Sequence, residues 1–201
     1  MSLIDRFRTD PRIEQLAAAL AALTPDEVHD PIARRAAVAI LVRWGRDDEP
    51  ELFFIRRAEY EGDPWSGHVA FPGGREEPGD GSLLDTAMRE TFEETGIDLR
   101  GRAELLGVLH DLMPRTVLLP PVVVRPYVFI IGDTPEPVLS SEVAGSFWVP
   151  LTALLDRSVW KDTMVRAGQV EISRLAFHHE GNIVWGMTEK ILSDLLELIS
   201  P

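Results

Sequence analysis

The segment from Gly67 to Leu99 constrains the fold of this chain more than any other part of its sequence. Its sequence is GHVAFPGGREEPGDGSLLDTAMRETFEETGIDL, in which a short apolar run, Val69–Phe71, leads into a Gly-Gly pair, a Pro-Gly pair and a helical pattern. A capping box that begins at Ser82 and a glycine at position 96 predict a helix over Leu83–Thr95. The segment therefore predicts a strand, two turns and a capped helix in direct succession.

The predicted helix carries three carboxylates on one side. Glu90, Glu93 and Glu94 stand at i, i+3 and i+4, which places their side chains close together on a helix surface. Taken alone, a Glu-rich helix is usually a solvated surface. A hard dication such as Mg²⁺ or Mn²⁺ would remove the mutual repulsion of these charges. Arg89 is spaced to pair with Glu93 or with an acidic side chain of the preceding loop.

The glycines before the helix make a ligand site more plausible than a solvated surface. Gly73 and Gly74 directly follow the apolar run, and glycine lets a backbone approach a ligand closely or adopt positive φ. Residues 77–80 have Pro and Gly at the positions that favour a type II turn. Together with the carboxylate helix, these features predict a cradle for a metal ion and a diphosphate.

The rest of the chain predicts an α/β domain whose mixed β-sheet is sandwiched between α-helices. Apolar spacing predicts a first helix between Asp10 and Thr24 and a last helix from Met187 to Ile199. Pro126 indicates an edge or a bulge in its strand. The predicted strands, in addition to Val69–Phe71, are Ala36–Val42, Leu52–Ile55, Glu104–His110, Val122–Ile131, Gly145–Val149, Val170–Phe177 and Asn182–Trp185.

Composition narrows the classes of function. With 201 residues we expect a single domain over 1–201, in which residues 1–30 form a helical extension. The net charge of −13 disfavours nucleic acid as a partner. The chain has no cysteine, which excludes disulfides and thiolate chemistry. It has no apolar stretch of membrane-spanning length, so we expect no membrane association and a cytoplasmic location.

The central segment resembles the Nudix box. Gly74 opens the box, and the run from Arg89 to Ile97 closes it with the pattern Arg-Glu-x-x-Glu-Glu-x-Gly-apolar. The chain departs from the family pattern in three ways. Asp80 replaces the first glutamate, eight residues instead of seven precede Arg89, and Thr91 stands at an apolar position. The resemblance implies a Nudix fold with the box at residues 74–97.

The resemblance extends to the coenzyme A pyrophosphatase branch of that family. Glu77 and Asp80 match its acidic spacing after FPGG, and Arg57-Ala58 resembles its upstream Arg-Ser pair. Downstream, a Glu-Val and Val-Pro-Leu pattern and an Ile-Trp-Gly-x-Thr signature have counterparts at 142–151 and 183–188. Together these landmarks cover residues 36–199. Trp65 replaces the histidine of the branch, and the segment before it is one residue longer.

The resemblance implies roles for particular residues. Glu90, Glu93 and Glu94 would hold Mg²⁺ or Mn²⁺, and Glu93, Glu94 or Glu142 would act as general base. The substrate-binding candidates are Arg57, Arg115 and the glycine pair, Gly73 and Gly74. Arg56 is a weaker candidate for gripping a phosphate.

The implied reaction is metal-dependent hydrolysis of the pyrophosphate bond of a small nucleoside diphosphate derivative. Coenzyme A or an acyl derivative, cleaved to 3′,5′-ADP and a phosphopantetheine, is the leading substrate. The alternatives are ADP-ribose, NADH or a nucleotide sugar. From another class, a noncatalytic nucleotide sensor would have no need for three carboxylates. Relatives are often dimers, so a homodimer is an open expectation.

Overall fold

A computed structural model describes residues 7, 9–45, 47, 49–60, 66–114, 120–132, 136–167 and 170–200. The helices within these ranges are α1 (Pro11–Ala22), α2 (Leu83–Thr95), α3 (Leu151–Leu155) and α4 (Gly186–Glu197), and a 3₁₀ turn spans Arg157–Val159. The strands are β1 (Arg34–Trp44), β2 (Pro50–Arg57), β3 (Val69–Ala70), β4 (Gly73–Arg75), β5 (Ala103–Val108), β6 (Val122–Ile131), β7 (Val143–Pro150), β8 (Trp160–Ala167), β9 (Val170–His179) and β10 (Asn182–Val184). None of these helices is long and apolar enough to cross a membrane.

The central sheet is mixed, as the sequence predicts. Its main path runs β3-β2-β1-β6-β5, with β4 paired to β1 and β7 paired to β2. The β1–β6 pair is parallel, and the other pairs of this sheet are antiparallel. A smaller sheet has the order β10-β9-β8.

Along the edge opposite β6, strand β1 has two different partners. Its end at Val42–Trp44 pairs with β2, whereas Ala36–Val38 pairs with β4. Between these stretches the Ala39 N–H donates to the Pro72 carbonyl at 2.8 Å. The change of partner inserts the glycine strand β4 beside β1, under the helix that follows it.

Apolar side chains cover both faces of the central sheet, which confirms the predicted layers. On β1, Ala37, Ala39 and Leu41 belong to the core under α2, where Leu83 and Ala87 of that helix also lie. The opposite core contains Ile40 and Val42 of β1 together with apolar side chains of α1 and α4. The period-2 alternation of the strand therefore assigns each of its residues to one layer.

The predicted ends of α2 and the predicted start of α1 are confirmed. The Ser82 side chain accepts from the Asp85 N–H, and Gly96 ends α2 in the left-handed region at φ 69°. Asp10 caps α1 by accepting from the Arg12 N–H. The last helix begins at Gly186, one residue before the predicted start, and ends two residues before Ile199.

Two details of the predicted loop before α2 are wrong. Gly73–Arg75 is a short strand and not a turn, because its backbone pairs with β1. Residues 77–80 do form a turn, in which the Asp80 N–H donates to the Glu77 carbonyl at 2.9 Å. Gly79, however, lacks the positive φ that a type II turn requires at that position.

Pro126 lies in an interior strand, so the prediction of an edge is wrong. Strand β6 lies between β1 and β5, and a register shift in the β5–β6 pairing lies nearby, between Leu105 and Gly107. The Pro126 carbonyl accepts from the Leu109 N–H just beyond the end of β5. The N and C=O of one strand residue point to the same side of the strand. The nitrogen of Pro126, which carries no hydrogen, therefore faces the chain beyond the end of β5.

Close packing between α1 and β5 generates a prediction about stability. A Cβ added at Gly107 would lie 2.8 Å from the Leu20 Cβ, whereas a Cβ at Gly145, in β7, would meet nothing within 4 Å. Gly107→Ala should therefore displace α1 and destabilise the fold by about 1–3 kcal/mol. In thermal unfolding, that corresponds to a decrease in Tm of roughly 2–4 °C for each kcal/mol.

Gly145→Ala is the matched control, because both glycines lie in strands and neither has positive φ. We expect the Tm of this variant to match or slightly exceed that of the wild-type protein. Equal Tm values for the two variants would contradict the close packing of α1 on β5.

Candidate active site

The carboxylates of α2 lie at three different depths. Glu94 is 5% exposed and lies against β4, Glu90 is half-buried, and the Glu93 side chain is 55% exposed. The prediction that all three share one surface is therefore only partly right, since the helix turns Glu94 inward. The helix tolerates Thr91 at the apolar box position because its buried hydroxyl donates to the Ala87 carbonyl at 2.7 Å.

Glu94 is a buried acid held by a backbone group. Its carboxylate accepts from the Gly73 N–H at 2.9 Å. Burial raises the pKa of Glu94 to about 7 against the lowering effect of this hydrogen bond. The negative charges of Glu90 and Glu142 raise this pKa further, and the charge of Arg57 lowers it. Each of these groups therefore lies close enough to Glu94 to act on its charge, and we call the four residues the electrostatic cluster.

Both glycines of β4 lie close to their surroundings, and at Gly73 the close atoms belong to the backbone of β1. Gly73 has φ 152°, and a Cβ there would lie 2.3 Å from the Ala37 carbonyl oxygen. A Cβ at Gly74 would lie 2.4 Å from the Glu90 Cδ. Real Cβ atoms do not approach other atoms this closely, so the pair lets the strand lie against both β1 and the Glu90 carboxylate.

Arg89 organises the acidic side chains around it. Its Nε and Nη2 bond to the two oxygens of Asp80 at 2.9 and 3.0 Å, and its Nη1 bonds to Glu90 at 3.1 Å and to Glu93 at 3.0 Å. The guanidinium lowers the pKa of Asp80, which also accepts from the Thr86 hydroxyl. Both predicted kinds of partner for Arg89 are thus confirmed, and Asp80 anchors this arginine where the box pattern has glutamate.

The donor set fits a divalent ion chemically. Across the described ranges, no three acidic or histidine side chains converge on one point suited to a metal, because Arg89 and Gly73 hold the glutamates apart. Burial nevertheless raises the pKa of Glu90 and of Glu94, and each charge repels the other. A dication would relieve that repulsion, and carboxylate oxygens are the ligands that Mg²⁺ and Mn²⁺ prefer.

Glu142 follows a segment, residues 138–140, that is bonded to the C-terminal end of α2. The Val138 and Ser140 N–H groups donate to the last carbonyls of the helix, those of Thr95 and Glu94, at 2.9 and 3.0 Å. These bonds satisfy helix carbonyls that lack partners within the helix. They also bring Glu142, exposed directly before β7, into the electrostatic cluster.

The candidate arginines separate to different sides of the sheet. Arg57 has the strand parity of Phe53 and Ile55 and lies on the α2 side. Arg56 has the opposite parity and donates to the Asn182 side-chain oxygen at the start of β10, so it lies on the side of the sheet away from α2. Arg115 and Trp65 lie outside the described residues.

Arg125, which the sequence did not predict as a site residue, is aligned with the site by the sheet. In register, Gly74 pairs with Ala37, and Ala37 pairs with Arg125 on its other side. Asp111 fixes this arginine by two bonds, from Nε at 2.7 Å and from Nη2 at 2.9 Å. The sequence pattern that could have identified Arg125 is the alternation of β6. Arg125 lies two residues before the buried Tyr127, so a charged residue stands at a strand position that faces inward.

Comparisons with known proteins give the family. The NUDIX domain model matches residues 33–168. An uncharacterized Nudix hydrolase of Yersinia pestis, NudL, is 33% identical over 168 residues, which are 83% of this chain and 80% of that protein. An uncharacterized protein of Schizosaccharomyces pombe is 34% identical over 141 residues, 61% of this chain. The match spans only 43% of the length of that relative.

A solved structure agrees with the fold. The MutT/nudix family protein of Enterococcus faecalis aligns over 92% of this chain and 69% of its own, with a TM-score of 0.55 at 18% sequence identity. At this identity the likeness establishes the architecture alone. The family match and the Yersinia relative cover most of the chain, including the glycine strand and the carboxylate helix. The chain therefore belongs to the Nudix family and is a Nudix pyrophosphohydrolase.

Proposed function

We propose that this enzyme hydrolyses coenzyme A or an acyl-coenzyme A at the pyrophosphate bond, giving 3′,5′-ADP and a phosphopantetheine. The observation that carries the proposal is the buried Glu94, held by Gly73 and surrounded by Glu90, Glu142 and Arg57. The substrate class rests on the branch resemblance outside the box. The position of Arg57 on the α2 side of the sheet supports that resemblance, since this arginine belongs to the branch pattern.

Glu90, Glu93 and Glu94 would hold Mg²⁺ or Mn²⁺ in this proposal. When bound, the ion supplies a Lewis acid that neutralises phosphate oxygens and lowers the pKa of water. Arg89 sets the positions of Glu90 and Glu93, and the Gly73 N–H sets that of Glu94. A bound cation would relieve the repulsion between Glu90 and its neighbours Glu93 and Glu94.

In the reaction, a water oxygen attacks one phosphorus and the bridging P–O bond breaks. The bridging oxygen leaves with the other phosphate, and one proton of the water passes to a base. We assign that base to Glu142, because Arg89 holds Glu93 and the Gly73 N–H holds Glu94. Glu142 makes no ion pair with another residue in the described ranges. Arg57 and Arg115 would grip phosphate oxygens bidentately, and the Gly73-Gly74 backbone lets the substrate come close.

Glu94→Gln tests the metal assignment. The variant should lose metal-dependent turnover by at least about 100-fold, since even second-shell partners of a metal contribute 10- to 100-fold. It should keep its fold, because a glutamine oxygen can still accept from the Gly73 N–H and a buried charge is removed.

Thermal unfolding separates this effect from misfolding. In EDTA the Tm of Glu94→Gln should equal or exceed that of the wild-type protein, whereas the increase in Tm on adding Mg²⁺ or Mn²⁺ should be reduced. Wild-type turnover in Glu94→Gln, or an unchanged increase in Tm with metal, would remove Glu94 from the metal site.

Glu142→Gln tests the general base. We expect kcat to fall by about 10²- to 10⁴-fold, the usual contribution of a positioned acid or base, with little change in KM. Glu136→Gln is the control, because Glu136 is an exposed glutamate in the segment that leads to Glu142. Its kcat should equal that of the wild-type protein, and an unaltered kcat in Glu142→Gln would return the role to Glu93 or Glu94.

A product-resolved hydrolysis screen tests the substrate. Coenzyme A, acetyl-coenzyme A, ADP-ribose, NADH and UDP-glucose are compared by kcat/KM with Mg²⁺ and with Mn²⁺. We expect coenzyme A or its acetyl derivative to have the highest value and to yield a 3′,5′-ADP product. A higher value for one of the other diphosphates would overturn the branch assignment and leave the chemistry of the box intact.

A further inference from the structure

The turn that carries Glu142 is held by backbone hydrogen bonds on both sides of that residue. Before it, the Glu142 N–H donates to the Ser140 hydroxyl oxygen at 3.3 Å. After it, the Glu142 carbonyl accepts from the Ala58 N–H at 2.8 Å, in the stretch that follows β2. Both peptide units that flank the Glu142 Cα therefore have fixed partners.

One of these peptide units has a second partner, which comes from a side chain. The Tyr60 hydroxyl donates to the Ser141 carbonyl at 2.8 Å. That carbonyl belongs to the same peptide unit as the Glu142 N–H, so Tyr60 and Ser140 hold its opposite ends. The orientation of this peptide plane determines φ of Glu142 and with it the direction of the Cα–Cβ bond.

Tyr60 is not part of either apolar core. Its side chain is a large hydrophobic group that remains 49% exposed, and it belongs to neither buried cluster. Its side chain bonds to the rest of the fold through the hydroxyl, at the Ser141 carbonyl. An exposed aromatic side chain with this polar contact has little effect on the core and a direct effect on the turn.

We propose that Tyr60 is a positioning residue that directs the Glu142 carboxylate towards Glu94 and the reacting phosphate. The inference rests on the role of Glu142 in the proposed function. In this arrangement α2 holds the turn from one side, through the Ser140 N–H bond to the Glu94 carbonyl, and Tyr60 holds it from the other. Tyr60 itself does not contact the substrate.

Tyr60→Phe removes only the hydroxyl. Because one neutral hydrogen bond contributes roughly 0.5–1.5 kcal/mol, kcat for the best substrate of the screen should fall about 2- to 10-fold. KM should not change, since the proposal gives Tyr60 no substrate contact. The Tm should remain near that of the wild-type protein because the lost group is exposed.

Ser66→Ala is the matched control. The Ser66 hydroxyl oxygen accepts from the Tyr60 N–H at 2.8 Å, so this variant removes a bond of the same length from the same residue. It leaves the Tyr60 hydroxyl and the Glu142 turn intact. We expect its kcat to equal that of the wild-type protein.

A double-mutant cycle decides whether Tyr60 acts through Glu142. If it does, Tyr60→Phe should have no further effect on kcat in the Glu142→Gln background. Additive losses in the double variant, a change in KM alone, or an equal loss in Ser66→Ala would overturn the inference while the role of Glu142 stands. An unaltered kcat in Glu142→Gln alone would instead remove the premise and with it the inference.

Discussion

The hydrogen bond from the Gly73 N–H to the Glu94 carboxylate joins the two parts on which the site depends. On one side is a strand whose backbone is inserted beside β1, and on the other is a helix whose inner face carries an acid. A buried carboxylate without a partner would cost several kcal/mol, so this bond allows the acid to remain in the interior. Glycine at position 73 is the condition for it, because a Cβ there would lie 2.3 Å from the Ala37 carbonyl oxygen of β1.

The charges around that bond are arranged in two groups. Arg89 compensates the outer group, in which Asp80, Glu90 and Glu93 share a single guanidinium. The inner group is Glu94 with Glu90 and Glu142 nearby, and there the Gly73 N–H and the charge of Arg57 oppose the repulsion at Glu94. Acidic side chains of a chain with a net charge of −13 therefore lie close together around the buried Glu94. A multivalent cation would be attracted to such an arrangement.

Local sequence signals predicted the parts of the site that local interactions determine. The ends of α2 followed from Ser82 and Gly96, and the pairing of Arg89 followed from helical spacing. The separation of Arg56 from Arg57 depends on which strand face each occupies, and neighbouring residues of the same type give no signal for that. The role of Gly73–Arg75 as a strand depends on pairing with β1, more than 30 residues earlier in the chain. The contact of Tyr60 with Ser141 depends on an even longer separation, which one sequence cannot reveal.

The helices at the two ends of the chain lie outside the region that the family model matches, residues 33–168. They nevertheless supply much of one core, through Leu16 and Leu20 of α1 and through Leu192 and Leu195 of α4. A chain trimmed to the matched region would expose the apolar surface that these helices cover, and exposed surface of that kind promotes aggregation. The region that the family model matches is thus smaller than the region that packs around this core.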